Sequence, residues 1–105
     1  MASSLTRWRS RIEADDYNEL AHFEIAKEYM IVGQYMEAAA EFRRTTELNP
    51  DYPPAWQGMG EAYGKAELYK EAESALRTGI GVAERVGDKA SAEQMQKLLT
   101  GLPQV

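Results

Sequence analysis

The stretch Ala55-Trp56-Gln57-Gly58-Met59-Gly60-Glu61-Ala62-Tyr63 decides the fold, because it restates a stretch standing 34 residues earlier, Ala21-His22-Phe23-Glu24-Ile25-Ala26-Lys27-Glu28-Tyr29. At that offset Ala21 meets Ala55, Ala26 meets Gly60 and Tyr29 meets Tyr63. Further along, Tyr35 meets Tyr69, Glu37-Ala38 meets Glu71-Ala72 and Phe42 meets Leu76. Self-similarity at this period marks an all-α solenoid of antiparallel helix pairs, in which each repeat buries its apolar stripe only against its neighbours. Such folds display surface rather than enclose a reaction.

The repeats place the helices around them. A first helix is expected from about Ser4 to Ala14, with Leu5, Trp8 and Ile12 on one stripe. Asp15, Asp16 and Asn18 then form a turn that offers an N-cap to a second helix, about Glu19 to Val32, closed by Gly33. A third, Tyr35 to Leu48, is stopped by Pro50, and Pro53 and Pro54 suit the first turn of a fourth, which reaches Lys65. The fifth runs from Tyr69 to Val86 and ends at Gly87. The sixth, about Asp88 to Thr100, has Asp88 as N-cap and buries Ala92, Met95, Leu98, Leu99 and Leu102, while Gly101 to Val105 is expected to fray. Counting back 34 from Phe42 reaches Trp8, so the outer helices stand where halves of further repeats would. All 105 residues are thereby expected to form one domain.

Composition removes several classes of function. A net charge of −5 and a pI near 4.9 lack the basic stripe that nucleic acid requires. There is no cysteine, hence no disulfide or thiolate metal site, which fits a reducing compartment. No apolar run approaches the roughly 20 residues that span a bilayer, and a cytoplasmic location is the expectation. His22 is the one histidine, with no nucleophile or activating partner at a telling spacing. The acids Glu37, Glu41, Glu71 and Glu73 are expected on outward faces without a histidine companion, which argues against a metal centre. Neither enzyme activity nor a cofactor is expected. Arg7, Arg9, Arg11, Arg43 and Arg44 read as a solvated basic face.

These residues resemble the tetratricopeptide repeat family. The first repeat, Glu19 to Tyr52, supplies Ala26, Tyr29, Gly33, Tyr35, Ala38, Phe42 and Pro50; the second, Pro53 to Val86, supplies Trp56, Gly60, Tyr63, Tyr69, Ala72 and Leu76. The resemblance implies a right-handed superhelix whose concave face, lined by the first helix of each repeat, binds a peptide or protein segment. On this chain that face comprises Leu20, Phe23, Glu24, Lys27, Met30 and Ile31 from the first repeat. Pro54, Gln57, Gly58, Glu61, Gly64 and Lys65 come from the second. Gly58 and Gly64 are expected away from the packing side, as a shallow groove floor walled by Phe23 and Met30.

The chain departs from the family pattern at four positions. His22 replaces a large apolar residue, and Glu67 stands where glycine ends the first helix of a repeat, so that turn is expected to be strained or differently shaped. Thr45 and Gly79 replace alanine and are expected to loosen the joints. Phe23, Lys27 and Gly58 do not reproduce the basic clamp that grips acidic chaperone tails in some members. The function this supports is a non-catalytic adaptor or assembly module with a protein partner; the alternative is self-association as a homodimer, through the groove or through Gln94 and Lys97 on the last helix.

Overall fold

The computed structural model describes residues 18–103 together with Arg7 and Arg9. Five helices are present: α1 (Glu19–Ile31), α2 (Tyr35–Leu48), α3 (Pro53–Lys65), α4 (Tyr69–Val86) and α5 (Lys89–Thr100). The first of the six expected helices lies outside the described residues apart from Arg7 and Arg9, whose backbone is helical. The count among the described residues is therefore five.

The helix ends follow local chemistry. Asn18 Oδ1 accepts from the Ala21 amide at 3.0 Å and caps α1. Asp88 Oδ1 accepts from the Ser91 amide at 3.1 Å and caps α5. Pro53 and Pro54 occupy the first positions of α3, where a missing amide proton leaves no bond unmade. Between α1 and α2, Gly33 takes φ 80; between α3 and α4, Glu67 takes φ 64. The two turns carry the same hydrogen bonds. Val32, Gly33 and Gln34 amides donate to Glu28, Met30 and Tyr29 carbonyls, as Ala66, Glu67 and Leu68 amides do to Ala62, Gly64 and Tyr63 carbonyls. The second turn is thus not differently shaped: its geometry is kept and a glutamate is held in a left-handed conformation.

Consecutive helices pack in pairs, and α5 also touches α3. This is the nearest-neighbour packing of a solenoid. One buried cluster gathers Ile25, Tyr29, Phe42, Met59 and Tyr63; a second gathers Leu76, Ala83 and Met95; Trp56 and Leu102 pack against both. Small residues set the spacing. A Cβ on Gly60 would lie 2.4 Å from Leu76 Cδ2, so this close approach requires glycine. Gly79 behaves likewise, for a Cβ there would lie 2.5 Å from Met95 Sδ and 2.6 Å from Trp56 Cβ. It tightens the joint that it was expected to loosen. Thr45 is buried and returns its Oγ1 to the Glu41 carbonyl at 3.0 Å.

The last helix departs from strict periodicity. α3 begins 34 residues after α1, but α5 begins 36 after α3, because α4 has 18 residues where α2 has 14. In that shifted register Met95 takes the place of Met59 and is fully buried. Glu93, Gln94, Gln96 and Lys97 are exposed, as the polar outer face of a terminal helix should be. The chain beyond α5 does not fray at once: Leu102 turns back and packs over Gly64.

Two contacts recur with the repeat. Arg9 donates to the Tyr29 hydroxyl and Arg43 to the Tyr63 hydroxyl. These arginines are therefore ties between repeats rather than a solvated basic face. A third rung would join Arg77 to position 99 in the shifted register of α5, but that residue is leucine, and Arg77 pairs with Glu73 of its own helix at 3.0 Å. Arg85 and Asp51, themselves 34 residues apart, meet at 2.6 Å and strap the end of α4 to the turn after α2. The hydrogen bond and charge of Arg85 hold the Asp51 carboxyl below its ordinary range.

Candidate functional site

Helices α1 and α3 come together on one side of the stack with little direct contact. The gap between them is an open groove of about 450 Å³. Phe23, Lys27, Met30 and Ile31 of α1 form one wall; Pro54, Gln57, Gly58 and Glu61 of α3 form the other; Phe42 of α2 closes the floor. Eight of the expected concave-face residues, Phe23, Lys27, Met30, Ile31, Pro54, Gln57, Gly58 and Glu61, therefore share one cavity.

Four others, Leu20, Glu24, Gly64 and Lys65, do not. Leu20 is exposed at the mouth of a neighbouring shallow pocket formed with Phe23, Asn49 and Tyr52. Glu24 turns to Lys27 and pairs with its Nζ at 2.9 Å. Lys65 belongs to a second groove of about 400 Å³ between α3 and α5, with Gly64, Tyr69, Lys97, Leu98 and Leu102. Glu61 borders both grooves.

The physical role of Gly58 differs from the one expected. A Cβ there would lie 2.4 Å from the Phe42 ring, so Gly58 faces a packed side chain rather than an empty floor. Its consequence for the groove is indirect: because α3 has no side chain at that point, the buried Phe42 ring packs up against α3 and lines the base of the cavity. The repeat pattern alone marks Phe42 as a core residue and does not single out Tyr52. Both are joined to Phe23 by edge-on ring contacts, at centroid distances of 5.7 and 5.3 Å. The aromatic residue at position 52, at the mouth of the first helix pair, was the sequence signal for this extension. Lys27 Nζ stands 5.0 Å from the Phe23 ring centroid, over its face, which fixes the lysine at the rim.

His22 does not approach the groove. It is buried between α1 and α2, with Nδ1 2.6 Å from Glu41 Oε2. Since an ionised carboxylate only accepts, Nδ1 is the donor. Glu41 accordingly has the histidine companion that its outward placement was expected to deny. Among the described residues no three of His, Cys, Asp and Glu converge as metal ligands would, and every buried side-chain nitrogen or oxygen has a partner. Among the same residues no helix is long and apolar enough to cross a membrane.

A chain from Pseudomonas aeruginosa named TPR repeat-containing protein is 31% identical to this one over 85 residues, which is 81% of each chain. The chain belongs to the tetratricopeptide repeat family. No family model matches it. The solution structure of a protein from Bordetella parapertussis superimposes with a TM-score of 0.83, covering 97% of this chain and 89% of that one at 24% identity, and so has the same fold. In tetratricopeptide repeat terms the groove lies between the first helices of successive repeats; its wall residues Phe23 and Gln57, and Lys27 and Glu61, occupy matching positions, whereas Met30 and Ile31 match Gly64 and Lys65 of the neighbouring groove.

Proposed function

We propose that this chain is a non-catalytic protein-interaction module that receives a peptide or helical segment in the groove between α1 and α3. The observation carrying this reading is the groove itself. It is open, about 450 Å³ in volume and floored by an aromatic ring, and Lys27, Ile31, Gln57 and Glu61 on its walls lie outside the buried core of the repeat scaffold. Ile31 is 78% exposed, and an isoleucine presented to water beside an aromatic floor is the anatomy of a contact surface. The test is Ile31→Glu combined with Met30→Glu. A captured protein partner is expected to lose at least about tenfold in affinity; unchanged affinity would place its site elsewhere. Phe23 is a poor choice for this purpose, because it is clasped by Phe42 and Tyr52 and its replacement would disturb folding.

Self-association is the second reading, and a separate observation favours it. Ile31, Val32 and Met36 form an exposed apolar edge at the α1–α2 turn, with Val32 61% and Met36 52% exposed. The matching positions of the second repeat are Lys65, Ala66 and Lys70. Light scattering across a dilution series decides: a mass that falls on dilution and becomes monomeric in Val32→Lys/Met36→Lys supports a dimer through this edge, and a constant monomer mass removes it.

A further inference from the structure

We propose that the segment received by the α1–α3 groove carries a large apolar side chain next to a lysine or arginine, the apolar group seated over Phe42 and the cation against Glu61. This rests on the groove being the binding site, and it adds the chemistry of the occupant.

The apolar half follows from the lining. Phe42, itself buried, lines the floor where Gly58 lets its ring come up against α3, and Phe23, Met30 and Ile31 make one wall. A volume of about 450 Å³ accommodates one large side chain and the aliphatic stem of a second.

The cationic half follows from an audit of charge. Lys27 is already committed, with Glu24 Oε1 2.9 Å from its ammonium and the Phe23 ring beneath it. Those two charges cancel locally. Glu61 is different: its Oε1 accepts from Gln57 Nε2 at 3.2 Å, and among the described residues no cation pairs with it. Lys65, one turn further along α3, is exposed and lines the neighbouring groove. The groove therefore presents an apolar cup with one half-buried, uncompensated carboxylate on its rim. A half-buried carboxylate gains more from an incoming cation than a fully solvated one does, because less water screens the pair. The net charge of −5 works in the same direction, drawing cationic segments in and repelling acidic ones. Arginine suits the site best, since its planar fork can hold the carboxylate while its stem lies on the aromatic floor.

The experiment is a display selection of randomised peptides against the full chain, followed by fluorescence-polarisation titration of an enriched peptide. The variants are Ile31→Glu, Glu61→Gln and Glu61→Lys. Both positions are exposed or half-buried, and circular dichroism checks that each variant is folded. Enriched peptides are expected to place lysine or arginine beside leucine, isoleucine, methionine, phenylalanine or tryptophan. Ile31→Glu should weaken them by about tenfold or more, and Glu61→Gln by about fivefold. Binding to Glu61→Lys should return when the peptide's basic residue is exchanged for glutamate. Peptides that need Ile31 but are acidic, or are indifferent to Glu61, overturn the charge assignment and leave the groove standing. Peptides indifferent to both residues, or a selection that enriches nothing, overturn the groove reading as well.

Discussion

Glu67→Gly should stabilise this protein, and the size of the gain follows from the geometry of one turn. Glu67 has φ 64 and is the one non-glycine residue with positive φ among those described. An L-residue with a side chain incurs about 1–2 kcal/mol in that region, because its Cβ crowds the backbone carbonyl. Replacing it with glycine removes that strain but gives the unfolded chain more freedom, a loss of about 0.4–1 kcal/mol. The net gain is about 1 kcal/mol, or a melting temperature raised by about 4–8 °C for a domain of this size. No compensating contact is lost, since the Glu67 side chain is exposed and makes no hydrogen bond or ion pair among the described residues. The reciprocal change tests the same reasoning from the other side. Gly33 stands at φ 80 in the matching turn, and a Cβ there would find no atom within 4 Å. Gly33→Ala should therefore cost about 1 kcal/mol through backbone conformation alone. Urea denaturation monitored by far-ultraviolet circular dichroism measures both, with an unchanged slope as the sign that only stability has moved. If Glu67→Gly left the midpoint unchanged or lowered it, the left-handed turn could not be a source of strain and the reasoning would fail.

Gly79→Ala should destabilise by about 1–3 kcal/mol, because the added methyl would press on Met95 and on the Cβ of Trp56. Gly81→Ala, two residues along the same helix with nothing within 4 Å of its added Cβ, should stabilise by about 0.5–1 kcal/mol; denaturation midpoints moving in the same direction would refute the packing assigned to Gly79. Tyr63→Phe removes the hydroxyl that Arg43 holds and should cost about 1 kcal/mol, whereas Tyr69→Phe, measured the same way, serves as an aromatic control without such a tie. Acid should weaken the fold through Asp88, whose carboxyl is lowered below 3.8 by the side-chain and backbone hydrogen bonds of Ser91. The folded chain binds that proton less readily than the unfolded chain, so the contribution is complete above the unfolded value and is lost as pH falls through the lower folded one. In thermal melts at stepped pH, Asp88→Asn should keep the cap and flatten this acid limb; an unaltered limb would remove Asp88 as its source.

The fold was legible because the repeat signal and the helix signal coincide. Ala21 and Ala55, Tyr29 and Tyr63, Ala38 and Ala72 are small or aromatic at positions where two helices must meet, and all six are buried. Capping residues carry their own local chemistry, which is why Asn18 and Asp88 could be recognised without tertiary information. What escaped were relations between helices. Gly58 and Gly79 look alike in sequence to any helix-weakening glycine, and only the approach of Phe42, Trp56 and Met95 shows that both are spacers. The pairing of His22 with Glu41 escaped because it joins two helix faces whose relative rotation depends on packing. The register of α5, displaced by two residues because α4 has four more than α2 and the link after it is shorter, is marked in the sequence by its own cap, Asp88, rather than by the 34-residue period.

A repeat protein supplies its own internal comparison, and that comparison separates scaffold from function. Positions that every repeat must satisfy to stack are held in common: the buried alanines and tyrosines, and the arginine that donates to each tyrosine hydroxyl. Stacking demands less of the side chains that face the groove than of the buried ones, so there the two repeats have more freedom to differ. They do so at each matching pair: aromatic Phe23 against Gln57 and Lys27 against Glu61 on the two walls, and Met30 and Ile31 against Gly64 and Lys65 of the neighbouring groove. Uniform drift would blur core and groove alike, but here identity is concentrated in the core and contrast in the groove. The contrast also has a direction. The first repeat supplies apolar bulk and a cation neutralised by Glu24, while the second supplies small residues and an unpaired carboxylate. A symmetric cradle would accept a segment in either orientation, whereas a groove with an apolar wall on α1 and a carboxylate on α3 fixes which side of an incoming segment faces which helix.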